Sequence, residues 1–231
     1  MRKQLLMPVL LNAAQKIGLD IFVEPTRGMY GVILFDSGKR YYIKDINFNI
    51  NLTISASLAK NKAATSFFLK HFGYRVPEFT MVYNDDKCSK IKSKDNIEEG
   101  LNYANQIGFP IILKPNNMSQ GKLVFKANDE NEYFSFALEI FKHCDTFQVQ
   151  NFYYGNDYRI IVLDKKILSA YQKIPFNIVG DGQSEISELI NKKQELFVSF
   201  GRDTRLRKTD TRLANNLLRQ RLSLASVLPL G

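Results

Sequence analysis

Residues 103–123, Tyr-Ala-Asn-Gln-Ile-Gly-Phe-Pro-Ile-Ile-Leu-Lys-Pro-Asn-Asn-Met-Ser-Gln-Gly-Lys-Leu, decide how the rest of the chain is read. A helical stretch closes at Gly108, where a glycine just past the last turn is expected, and Pro110 blocks its continuation. Ile111, Ile112 and Leu113 form a short continuous apolar run, which reads as a strand buried on both faces. Lys114 sits where that strand leaves the core, and Pro115 ends its ladder. Asn116 to Gly121 are mostly polar and free of β-branching, so their backbone N–H groups can curl around an anion. A lysine at the edge of a buried strand, followed by such a loop, suits a nucleotide phosphate. The same residues also fit an ordinary strand, a surface lysine and a hairpin turn, and both readings stand at this point.

On the N-terminal side, Asn61 caps an expected helix from Lys62 to Gly73, with Ala64, Phe68 and Phe72 on one buried face. Lys60 and Lys62 oppose the dipole at that helix start. A bound phosphate would reverse the penalty, although two solvated lysines fit equally well. Residues 79–152 read as a compact α+β lobe. Its expected strands are Phe79–Tyr83, Ile111–Lys114, Leu123–Lys126 and Phe147–Phe152, its helices Ile97–Ile107 and Glu130–His143, with a charged loop at Lys87–Lys94. Residues 1–57 form an α/β lead-in with a hairpin turn at Asp36-Ser37-Gly38-Lys39.

Beyond the lobe, Gly155 separates two strands, and Asp157 and Arg159 share one face of the second. A carboxylate and a guanidinium there suit ribose hydroxyls and a phosphate or carboxylate, or a plain surface ion pair. The stretch 202–221 is strongly basic and reads as a solvated amphipathic helix. No aromatics interleave with its cations, which argues against a nucleic-acid partner.

The 231 residues are 45% hydrophobic, enough for one large domain or two small ones sharing a cleft. The formal charge of +9 favours anionic partners. Cys88 and Cys144 are the only cysteines and lie far apart, so no disulfide framework or C-x-x-C site is indicated, and the isolated His71 and His143 argue against a histidine metal site. No apolar run reaches the roughly 20 residues of a membrane span. Met1 to Pro8 begins like a signal peptide but breaks at the proline. The expectation is a cytoplasmic protein with no membrane partner; a homo-oligomer stays open.

Four separated pieces now line up in order: residues 61–77 from Asn61-Lys62 to Val76-Pro77, 107–115, 154–162, and 174–190 containing Ile178-Val179-Gly180-Asp181-Gly182. Together they resemble the ATP-grasp carboxylate–amine ligases, most closely the branch of cyanophycin synthetase and the ligase module of bifunctional glutathione synthetases. The resemblance runs from about residue 55 to the end. It implies an ATP-grasp fold of the α+β class: a lead-in at 1–57, a first lobe at 58–153 with its core at 79–152, and a partial second lobe at 154–231.

The resemblance also implies roles. Lys62 and Lys114 match the lysines that hold ATP phosphates, and residues 116–122, with Ser119 and Gly121, match the loop over them. Gln150, Asn151, Phe152 and Tyr153 match the hinge that pairs with adenine. Asp157 matches the acid near the ribose, and Arg159 an arginine close to the reacting phosphate or acceptor, the catalytic candidate. The implied reaction phosphorylates a carboxylate with ATP, and an amine attacks the acyl phosphate, with amino acids or small peptides as substrates. Three departures stand out: Gln150 where the family has Glu, Leu123 where a glycine is common, and Lys173 where the branch has Arg. Mg²⁺ is expected for the family, yet no acidic-x-Asn pair follows Arg159, so no metal ligand is assigned. This chain is therefore expected to bind nucleotide with negligible ligation, either as part of a ligase or as a non-catalytic nucleotide-binding remnant.

Overall fold

Helix α1 (Leu6–Lys16) opens the described chain and packs on the strand that follows it. Strands β1 (Asp20–Val23), β2 (Tyr30–Leu34) and β3 (Arg40–Lys44) form an antiparallel sheet in that order. The expected Asp36-Ser37-Gly38-Lys39 turn joins the last two, with Gly38 at φ 78° and the Phe35 N–H donating to the Lys39 carbonyl. This computed structural model describes residues 6–44, 47, 48, 50–202 and 207–231. The chain divides into two compact units, Met1–Phe152 and Tyr153–Gly231.

In the first unit, α2 (Thr53–Lys60) leads into α3 (Lys62–His71), which begins where its cap requires: the Asn61 side chain accepts from the Ala64 N–H at 3.0 Å. The expected buried face of α3 is not observed. Phe68 and Phe72 are 44% and 70% exposed. Helical periodicity marks an apolar stripe but does not say what covers it, and α3's main packing partner is α2.

Strand β4 (Phe79–Tyr83) is followed by helix α4 (Asp85–Ile91). The charged loop expected at Lys87–Lys94 is thus largely helix. The Asn84 side chain accepts from the Lys87 N–H, and Asp85 and Asp86 lie in the first turn, where acids suit the dipole. Helix α5 (Ile97–Ile107) carries Gly100 against the sheet, and β5 (Ile111–Pro115), β6 (Phe125–Ala127), α6 (Glu130–Phe141) and β7 (Thr146–Asn151) complete the lobe. Strand β6 starts later than expected because Leu123 sits in the preceding turn at φ 53°.

The four strands pair antiparallel in the order β4-β7-β5-β6. One sheet face carries Val82, Ile111, Leu113, Phe125, Phe147 and Val149, closed by Ala104 from α5 and by Tyr133, Phe136, Ala137 and Ile140 from α6. Burying these side chains is the main stabilising term of the lobe. Strand β5 alternates buried and half-buried residues, so it is not buried on both faces as its apolar run suggests. Helices α5 and α6 cover the Ile111–Leu113 side, which leaves Ile112 and Lys114 on the other.

In the second unit, β8 (Asp157–Leu163) and β9 (Lys166–Lys173) form an antiparallel ribbon around a two-residue turn, Asp164-Lys165, both at positive φ. Every residue of both strands is exposed. Helix α7 (Ile186–Ser199) starts with a capping box between Glu185 and Glu188. It packs with α8 (Thr211–Arg219) around Ile186, Ile190 and Leu217. Residues 203–206 of the basic stretch lie outside the described residues; α8 accounts for part of it, with Arg212 paired to Asp210 at 2.7 Å.

Candidate functional site

Strand pairing brings one set of polar side chains together on the face of the four-stranded sheet opposite the helices. Directly paired residues share a face. Lys114 is paired with Gln148, and Gln148 with Met81. One row on, Ile112 is paired with Lys126 and with Gln150, and Gln150 with Phe79. The face therefore presents Lys114 and Lys126, two glutamines, and apolar surface between them. Lys126 also places its Nζ 4.1 Å from the centroid of the Phe152 ring.

The end of β5 is tied to the start of α3. The Lys62 N–H donates to the Asn116 carbonyl at 3.3 Å, and the Ala63 N–H to Asn116 Oδ1 at 2.9 Å. Asn116 Nδ2 donates to Asn61 Oδ1 at 3.0 Å. Lys62 Nζ donates to the carbonyls of Pro115 and Asn116, each at 3.1 Å, and to that of Met118. Asn116, a buried residue that the sequence reading placed only as the start of the phosphate loop, is the node of this arrangement.

Two cations thus sit close together at one strand end. Burial holds Lys62 below the ordinary lysine range. Burial also lowers Lys114, and the positive charge of Lys62 lowers it further. Among the described residues, Lys114 has no ion pair and no side-chain hydrogen bond. A half-buried ammonium pushed toward neutrality by burial and then by a second cation is a place where an anion is stabilised.

A bound anion favours the protonated lysines, so binding takes up protons where the free lysines have begun to lose them. Affinity for a polyphosphate is expected to be full below the lowered lysine pKa values and to fall as pH rises through them, before the ordinary lysine range is reached. Dissociation constants measured from neutral to alkaline pH check this. Lys114→Arg, whose guanidinium keeps its proton, should move the loss to higher pH.

The other sequence-assigned residues are placed as follows. Ser119 and Gly121 lie in the turn between β5 and β6, where Gln120, Gly121 and Leu123 all have positive φ. Leu123 occupies there a left-handed conformation that suits glycine. Gln150 and Asn151 end β7, followed by Phe152. Tyr153, Asp157 and Arg159 belong to the second unit. Asp157 is ion-paired with Lys173, its direct partner across the ribbon, rather than with Arg159. Among the described residues, no group of three or more His, Cys, Asp or Glu side chains is placed to hold a metal ion. Asp181 accepts from the N–H groups of Gln183 and Ser184, from the Ser184 hydroxyl and from Lys192, which holds its carboxyl well below the usual range.

Gln148 was missed by the sequence reading. Period-two alternation in Phe147-Gln148-Val149-Gln150 was the available signal, since it places both glutamines on the face opposite Phe147. A separate cleft of about 480 Å³ lies among β2, β3, Asn47, Phe48 and residues 50–56, and among the described residues that line it Lys44 is the single cation.

No family model matches the chain. Among curated proteins it is similar to ATP-grasp carboxylate–amine ligases, the class its four motifs resemble. The particular relatives are bifunctional glutathione synthetases and cyanophycin synthetases. The glutathione biosynthesis bifunctional protein GshAB of Enterococcus faecalis is 30% identical over 187 residues, 80% of this chain and 23% of the relative. The cyanophycin synthetase of Trichormus variabilis is 29% identical over 140 residues, 60% of this chain and 14% of the relative. A solved bifunctional glutathione synthetase from Pasteurella multocida aligns with 96% of this chain and 29% of its own, at 18% identity and a TM-score of 0.46. The chain spans less than a quarter of the length of these curated relatives. Among the described residues, no helix is long and apolar enough to cross a membrane.

Proposed function

We propose that this chain binds ATP, with its phosphates at Lys114 and Lys62, as the nucleotide-binding part of a carboxylate–amine ligase. The observation that carries the reading is Lys114. Its half-buried ammonium lies beside a second cation and has no anionic partner among the described residues. The sequence similarity to ATP-grasp ligases supplies the ligand class. When bound, ATP would supply its γ-phosphoryl group to a carboxylate, leaving ADP, so that an amine could displace phosphate from the activated carboxyl. This chain's contribution is positioning and charge neutralisation. Lys114 and Lys62 offset phosphate charge in a partly dry site. The apolar surface of Ile112, Met81 and Phe79 suits a flat base, with Gln150 at its edge as a donor and acceptor. Tyr153, Asp157 and Arg159 enter this reading only through the resemblance. Among the described residues no group of three or more His, Cys, Asp or Glu side chains fits Mg²⁺, and no step is assigned to it.

Lys114→Ala is expected to weaken ATP at least tenfold, about 1.4 kcal/mol, in a calorimetric titration. Affinity equal to that of the unsubstituted protein would overturn the assignment.

A further inference from the structure

The side chain of Gln148 lies on the same sheet face as Lys114 and directly opposite it across the β5–β7 ladder. Paired side chains of this kind have Cβ atoms about 5 Å apart. Gln148 is only 1% exposed, yet its Nε2 has no hydrogen-bond partner. Two residues away on that face, Thr146 Oγ1 is likewise buried and without a partner. Buried polar groups in folded proteins are nearly always satisfied, so a donor left empty at full burial needs a reason. Hydrophobic packing is not that reason, because methionine fills the same volume without the desolvation penalty of an amide. The reason is on the facing strand, where Lys114 also has no partner among the described residues.

We propose that Gln148 is a second donor to the anionic oxygens that Lys114 holds, and that it favours polyphosphates over the bare nucleoside. The assignment rests on the nucleotide reading above. The two groups divide the work by chemistry. Lys114 supplies charge without fixed direction, whereas the amide supplies a directed N–H from a rigid strand position. An anion lying over the shared face of the two strands satisfies both at once.

The test is a set of calorimetric titrations of ATP, ADP and adenosine against the full chain, Gln148→Met, Gln148→Glu and Lys114→Ala, with thermal melts of each protein unliganded. Gln148→Met should melt at the same temperature or higher, since it removes an unsatisfied buried amide. It should bind adenosine unchanged but ATP and ADP about tenfold more weakly. Gln148→Glu keeps the side-chain shape and turns the donor into a negative charge, so it should lose ATP by more than a hundredfold while keeping adenosine. If either variant binds ATP as the unsubstituted chain does while Lys114→Ala does not, the role of Gln148 is overturned and the phosphate site survives. An equal loss for adenosine and ATP would show a purely structural role. If Lys114→Ala binds ATP unchanged, the nucleotide reading fails and the role of Gln148 falls with it.

Discussion

Gly100→Ala should destabilise the protein by about 3 kcal/mol, although alanine is the better helix former by about 1 kcal/mol. A Cβ at this position would lie 2.3 Å from the Tyr133 hydroxyl and 2.4 Å from Val82 Cγ2. Neither neighbour can move cheaply, because both are fully buried. Tyr133 is also fixed at its tip, where its hydroxyl donates to the Ile97 carbonyl at 2.8 Å. Overpacking a core in this way costs about 1–3 kcal/mol. Displacing the tyrosine leaves a buried hydroxyl and a carbonyl unsatisfied, about 1–3 kcal/mol more. The melting temperature should fall by roughly 6–12 °C. A second substitution, Val82→Ala, should recover part of the loss by giving the new methyl room. A Gly100→Ala protein that melts within about 2 °C of the unsubstituted chain would show that α5 and the sheet do not approach as closely as described.

Asn116→Ala should cost about 2 kcal/mol and loosen one place in particular. Asn116 Oδ1 is the acceptor for the Ala63 N–H, which lies in the first turn of α3 and has no partner within the helix. Removing the amide also takes a donor from Asn61, whose Oδ1 caps the same helix. Two bonds at a largely buried junction are lost, with one backbone donor orphaned. Hydrogen exchange should rise at residues 61–66 and much less in β4 and β7, since the sheet core does not depend on this contact. ATP affinity should fall with it, because Lys62 is placed by the same junction. Uniform loss of protection across the lobe would show that Asn116 supports the whole fold rather than the helix start.

Much of this was legible locally. The Asn61 cap, the Asp36-Ser37-Gly38-Lys39 turn and the start of β5 are each set by neighbouring residues, and they stand as read; β5 runs one residue further than read, because Pro115 is buried and still pairs with Phe147. Helix α4 carried its own signals, an Asn cap and paired acids, but its density of charge resembled a loop. The exposed Phe68 and Phe72 show the opposite limit: a stripe of aromatics is a property of one helix, its cover a property of the fold. The partner of Asp157 depended on the register across the Asp164-Lys165 turn. Gln148 was legible as to face but not as to depth, because the burial of one sheet position is decided by its neighbours on other strands.

Lys62 sets a condition on any ligand that would use it. An ammonium has three protons, and here three carbonyls receive them. Recruiting this lysine to a phosphate is then an exchange of partners rather than a simple addition. The favourable contact is offset by bonds given up at the Pro115–Met118 end of the loop, so Lys62 adds less to affinity than an uncommitted lysine would. What it adds instead is communication. A loop that loses its clamp when the lysine turns to a ligand changes its own order in the same event, and the two equilibria move as one.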